Sequence, residues 1–185
     1  MKINLDEAID VGYYLSKNVR KQFAQGVKII LEQRQDRVYL ITGREGSGKS
    51  TLTFQFAHFC CKLMGKDFHI NKICFNSKQF ADVIKNSQKN DVIVFDEAFN
   101  GLSSKGALSK ENKELIRLLV ECRQRGLIVF IVLPSIFLLE KYVAIFRSHG
   151  LINCQISKRN YKHRFYKVYN YANKKLLYQL GHKYM

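Results

Sequence analysis

Residues 38–52 read VYLITGREGSGKSTL. An apolar run, Val38 to Ile41, leads into three glycines set among small polar residues, and the stretch closes on Lys49-Ser50-Thr51. From Gly43 to Ser50 it fits the G-x-x-x-x-G-K-[ST] pattern. Each part of that pattern has a physical reason. Glycines let the chain curl so that backbone N–H groups point inward and make an anion-binding nest. A helix opening at Lys49 adds the partial positive charge of its N-terminus. Lys49 is expected to reach the β- and γ-phosphates of a nucleotide and Ser50 to bind Mg²⁺, with Thr51 beside them in the expected nucleotide site. Gly43, Arg44, Glu45, Gly46, Ser47 and Gly48 form the rest of the expected phosphate loop.

Such a loop needs a second strand that ends in an acid. The run DVIVFDEAF, residues 91–99, supplies it. Asp96 is expected to hold the Mg²⁺ through its water shell. Glu97 is placed to accept the proton of an attacking water, which points to hydrolysis beyond binding. No N-K-x-D guanine motif is present, since NKEL at Asn112 lacks the aspartate, so ATP is expected rather than GTP.

Working outward, apolar and helical patterns alternate. Strands are expected at residues 37–42, 68–75, 91–95 and 127–134. Helices are expected over 6–35 (with a cap at Asn18), 49–64, from Ser77, and from Ser109 to Arg125. Strands alternating with helices predict an α/β fold with a mainly parallel sheet covered on both faces. The chain of 185 residues is expected to be one domain: N-terminal helices over 1–36, a nucleotide-binding core over 37–150, and a tail over 151–185. The tail carries eight Lys or Arg from residue 153 onward and no acid. There, YKVYNY and KLLYQL flank ANKK and predict an antiparallel β-hairpin.

Lys and Arg number 31 against 15 Asp and Glu, a net charge of +16, which suggests an anionic partner and nucleic acid first. Lys158, Arg159, Lys162, Arg164 and Lys167 are candidate phosphate contacts. So are Lys105 and Lys110, in the loop after the acids. The five cysteines form no C-x-x-C pair, so zinc is not expected and the thiols read as small buried hydrophobes. The longest apolar run, residues 127–139, is too short to span a bilayer and contains Pro134. A cytoplasmic setting follows as the expectation, in a host cell or in a virion if the chain is viral.

Hydrolysing enzymes of this kind also use an arginine at the γ-phosphate, supplied in cis or in trans. Arg123 and Arg125 close the helix before the last core strand and are the leading candidates for a neighbour's site. The competing reading is that cations favour a helix C-terminus. Arg147 is a further candidate, and Arg117 a weaker one. Ser135 reads either as a polar sensor of the γ-phosphate or as a helix cap.

TGREGSGKST, DVIVFDEA, ECRQRGLIVFIVLPS and FRSHGLINC together resemble the FtsK/HerA division of P-loop ATPases, over roughly residues 38–154. The resemblance is nearest to short viral and plasmid genome-packaging ATPases and to zonular-occludens-toxin-like assembly ATPases. It implies a RecA-like core, a homo-oligomeric ring (often a hexamer), and ATP-driven movement of double-stranded DNA. Family roles carry onto Lys49 and Ser50, onto Asp96 and Glu97, and onto Arg123 or Arg125. Many members have a glutamine at the end of the last core strand, where this chain has Pro134-Ser135. The rival readings are an ATP-controlled switch or assembly protein and, third, a small P-loop kinase.

Overall fold

The computed structural model describes residues 11–33, 35–96, 105–161 and 163–183, with the side chains of 105–107 and 182 left out. The elements run α1 (Lys17–Gln33), β1 (Arg37–Gly43), α2 (Lys49–Leu63), β2 (Ile73–Cys74), α3 (Ser77–Lys85), β3 (Val92–Phe95), α4 (Lys105–Arg125), β4 (Ile128–Leu133), β5 (Gly150–Ile156), β6 (Arg164–Tyr169) and α5 (Tyr171–Lys183). They build a six-stranded sheet in the order β2-β3-β4-β1-β5-β6. All neighbours are parallel except β5 and β6, which close the sheet as an antiparallel pair. The expected α/β fold, mainly parallel with a terminal hairpin, is what forms. β4 lies between the glycine-loop strand β1 and the Asp96 strand β3, an additional strand inserted between the two halves of the site.

β3 and β4 are buried at every position, because helices cover both sheet faces. Alternation sorts their side chains. Ile93, Phe95, Val129, Ile131 and Leu133 pack with α3, α4 and Tyr178 of α5. Val92, Val94, Ile128, Phe130 and Val132 pack with α1 and α2. Gly26 interrupts the helical pattern of α1 for a reason: a Cβ there would overlap the Tyr39 hydroxyl of β1. Its absence lets helix and sheet approach. All five cysteines are buried and unpaired. Burial pushes the Cys154 thiol up to about 11.

The sequence reading needs correcting in several places. KLLYQL is no strand: residues 171–183 are α5, and the hairpin pairs β5 with β6, Ile156 opposite Arg164. Asn170 decides this, because its side chain accepts the Asn173 amide at 3.0 Å and its carbonyl accepts the Lys174 amide. ANKK is thus a first helical turn, and Lys174 and Tyr178, one turn apart, are both buried. The strand expected at 68–75 shrinks to two residues behind a 3₁₀ turn, Ile70–Lys72. Asn76, not Ser77, caps α3. α1 begins at Lys17, ahead of Asn18, and α4 at Lys105, well ahead of Ser109. The segment after Pro134 is a 3₁₀ turn, Ile136–Leu138, and then a π-helix, Tyr142–Arg147.

Candidate functional site: a phosphate loop roofed by the C-terminal hairpin

β1 ends on Gly43, whose amide donates to the Pro134 carbonyl at 3.3 Å. A Cβ on Gly43 would overlap the Cys154 carbonyl of β5 and crowd Ser47 Oγ, so only glycine lets the loop leave the sheet here. Gly48 has φ 85° and ψ 21° and serves as N-cap of α2 without a side-chain capping bond. The first amides of α2 are therefore uncapped and open onto the pocket beside them. Ser47 is buried, and its Oγ has no hydrogen-bond partner among the described residues. Lys49 folds back along the loop and donates from Nζ to the Arg44 carbonyl at 3.0 Å.

Glu45, Gly46, Ser47, Gly48, Lys49, Ser50 and Thr51 line an open pocket of about 950 Å³, together with Asp96, Pro134, Arg164, Phe165 and Tyr166. Gly43 and Arg44 lie outside the lining and shape the loop from behind. Asp96 follows β3 directly, is buried, and sends its amide to the Cys74 carbonyl at 2.8 Å. Ser50 and Asp96, the expected Mg²⁺ residues, thus share one pocket. Uncapped helix amides, a lysine bonded among the described residues to a loop carbonyl, and a hydroxyl and a carboxylate lining one pocket fit a Mg²⁺-bound polyphosphate. Glu97 and the loop at 97–104 lie outside the described residues.

The arginines separate sharply. Arg123 and Arg125 sit at the start of β4, the sheet edge opposite the phosphate loop, since β4 begins level with Arg37 of β1. Neither reaches the pocket of its own chain. Arg123 is exposed, while Arg125 donates to the Ser87 carbonyl at 3.0 Å. Arg117 is an exposed helix position bonded to Glu114 and Glu121. Arg147, half-buried at the same far edge, is already engaged: it pairs with Asp36 and donates to the Leu119 carbonyl at 2.7 Å.

Ser135 caps the turn after it, accepting the Phe137 amide at 3.3 Å, which favours the cap over the sensor. Asn112 of the NKEL stretch is a buried brace, donating to the Leu108 and Leu138 carbonyls. Sequence reasoning set Arg164 among the nucleic-acid contacts. The structure brings it to the loop instead, where Nε donates to the Gly46 carbonyl at 3.0 Å. Lys158, Arg159 and Lys167 of the same hairpin are exposed and outside the pocket lining. A polar chain that the sequence did not signal runs under the loop: Asn153 donates to Thr42 Oγ1 at 3.0 Å, and Gln155 to Asn153 Oδ1 at 2.8 Å. No described helix is long and apolar enough to cross a membrane, and no described cluster of His, Cys, Asp or Glu could hold a metal ion on its own.

The sequence model of a family described as Novel STAND NTPase 3 matches residues 19–172. No curated protein matches the chain. Among solved structures, a KaiC-like protein of Pyrococcus horikoshii OT3 is 19% identical with TM-score 0.50, covering 74% of this chain and 80% of that one. That likeness is one of fold. The N-terminal domain of zonular occludens toxin from Neisseria meningitidis is 15% identical with TM-score 0.36, over 74% of this chain and 95% of the other. The VirB11 ATPase of Brucella suis is 11% identical with TM-score 0.41, over 88% and 55%.

Proposed function

The chain belongs to the Novel STAND NTPase 3 family, and on that premise we infer that it is a Mg²⁺-dependent ATPase that couples hydrolysis to the movement of double-stranded DNA. The observation that carries the coupling is the β5–β6 hairpin. Its turn presents exposed cations, Lys158 and Arg159, and at that same end Arg164, the first residue of β6, lies on the phosphate loop. Nucleotide state and a DNA-facing surface then share one end of a single strand pair. The net charge of +16 supports an anionic partner.

In this reading Lys49 and the α2 amides hold the β- and γ-phosphate oxygens, and Ser50 and Asp96 hold the metal. Mg²⁺, when bound, neutralises phosphate charge. Glu97 takes the proton of the water that attacks the γ-phosphorus. Arg123 is the better placed of the two candidates to reach a neighbour's nucleotide in a homo-oligomeric ring, because Arg125 is already engaged at Ser87. Such a motor suits genome packaging or plasmid and phage DNA transfer, in a host cytoplasm or a virion, as the FtsK/HerA resemblance implies. A second reading, an ATP-controlled switch without translocation, is favoured by the presence of a loop-bound arginine in the same chain, since turnover then needs no neighbour.

ATPase rate with and without double-stranded DNA, at low and moderate salt, separates them. A motor gripping phosphates gives DNA-stimulated turnover that weakens with salt, and Glu97→Gln binds ATP but hydrolyses it slowly. A DNA-independent rate that Glu97→Gln still abolishes leaves the switch. Full turnover in Glu97→Gln refutes the general-base role.

A further inference from the structure

We propose that Arg164 is the nucleotide site's own arginine, contacting the phosphate chain in cis from the side opposite Asp96. The inference rests on reading the pocket as a triphosphate site and assigns a residue of that site outside the motifs.

The geometry is fixed by β6. Cys154 of β5 pairs with Tyr166 of β6, and Cys154 itself lies level with Gly43 at the end of β1. Tyr166 packs edge-on against Phe56 of α2, ring centres 5.9 Å apart. Two residues along a strand share a face, so Arg164 lies on the α2 side as well, over the helix N-terminus. There its Nε donates to the Gly46 carbonyl, and its Cδ stands 3.4 Å from where a Gly48 Cβ would be. Gly46 and Gly48 bracket the expected nest. In the sheet, β3 with Asp96 and β6 with Arg164 fall on opposite sides of β1. A polyphosphate over the end of β1 is thus flanked by the metal-binding acid on one side and a guanidinium on the other.

The guanidinium is a fork, so one donor can stay on the Gly46 carbonyl while others meet phosphate oxygens. In hydrolysis the water oxygen bonds to the γ-phosphorus and the bond to the β–γ bridging oxygen breaks. The water proton passes to the base, and ADP leaves with the bonding pair. Arg164 stabilises the charge that gathers on the departing phosphates.

The test compares wild type, Arg164→Gln and Arg164→Lys, with Lys175→Gln on the exposed face of α5 as a control for net charge. ATP turnover and affinities for ATP and ADP are measured with Mg²⁺ and without DNA, alongside the thermal midpoint of the nucleotide-free protein. Arg164→Gln should lower kcat/KM on the order of a hundredfold with an unchanged midpoint. Arg164→Lys should recover part of the loss, and Lys175→Gln should match wild type. Wild-type kcat/KM in Arg164→Gln overturns the inference and leaves the ATPase reading standing. So does a loss that follows a lowered midpoint in both Arg164 variants, which would make the arginine a prop of the loop. A wild-type chain that binds no nucleotide overturns both.

Discussion

At one edge of the parallel sheet, Arg147 is held between the Asp36 carboxylate and the Leu119 carbonyl, with the Asp36 side chain buried and that of Arg147 largely covered. At the other edge, Lys49 opens α2 and donates to the carbonyl of Arg44 in the loop before it. Lys174 repeats the first pattern. It is fully buried and donates to the carbonyls of Ile145 and Ser148 and to the Ser148 hydroxyl, and burial pushes its ammonium down to about 8. These two cations of the far edge are thus answered from within, one by a carboxylate and one by carbonyl and hydroxyl oxygens. The loop edge sets a lysine, an arginine and uncapped helix amides around an open pocket and leaves the matching anion to come from outside. A charge answered internally serves folding; one held in readiness serves a ligand.

Substitutions at the two edges should therefore fail in different currencies. The largest effect is Lys49→Ala, which should cut ATP turnover by on the order of a thousandfold while shifting the thermal midpoint by no more than about 2 °C. A large drop in midpoint would show that the loop lysine also holds the fold, and the contrast would break. Next is Arg147→Met, which strands Asp36 as an unpaired buried charge and should cost about 3–5 kcal/mol of stability. Adding Asp36→Leu should restore most of that, because a dry apolar pair replaces a dry ion pair. Turnover per folded molecule should not change. A stable Arg147→Met chain with lost turnover would instead return Arg147 to the list of arginine fingers.

The loop edge was readable in the sequence because its chemistry is local. A nest, a helix start and a lysine all fall within residues 43–51, and the buried strands announce themselves as apolar runs. The far edge was not readable. Asp36 and Arg147 are 111 residues apart, and nothing near either one names the other. Arg164 was one cation among many in a basic tail until the pairing of β6 with β5 set it over the loop. The tail helix was misread because Tyr and Leu alternate there as they would in a strand. The contrary local signal was Asn170 ahead of Asn173, a helix cap that outweighs the alternation. Non-local pairing, not weak propensity, accounts for most of what was missed.

The smallest effect sharpens the contrast through pH. His149 belongs to the far edge: its Nδ1 accepts the Val38 amide at 3.0 Å, which requires the ring to be unprotonated there. Burial first, then the Arg37 guanidinium and the charges of Arg147 and Lys174, with Asp36 opposing, lower its pKa from 6.5 to about 4. The unfolded chain then takes up this proton before the folded one. The stability that His149 lends is fully present above pH 6.5 and is lost as pH falls toward 4. Because His149 as a residue is exposed, solvent screening should hold the loss to on the order of 1 kcal/mol. Thermal midpoints between pH 7.5 and 4.5 at fixed ionic strength should fall in wild type. They should fall less in His149→Gln, whose amide oxygen still accepts from Val38 but does not titrate. Equal slopes would mean that the far edge tolerates a protonated ring, and that its charges are less completely answered from within than Arg147 and Lys174 imply.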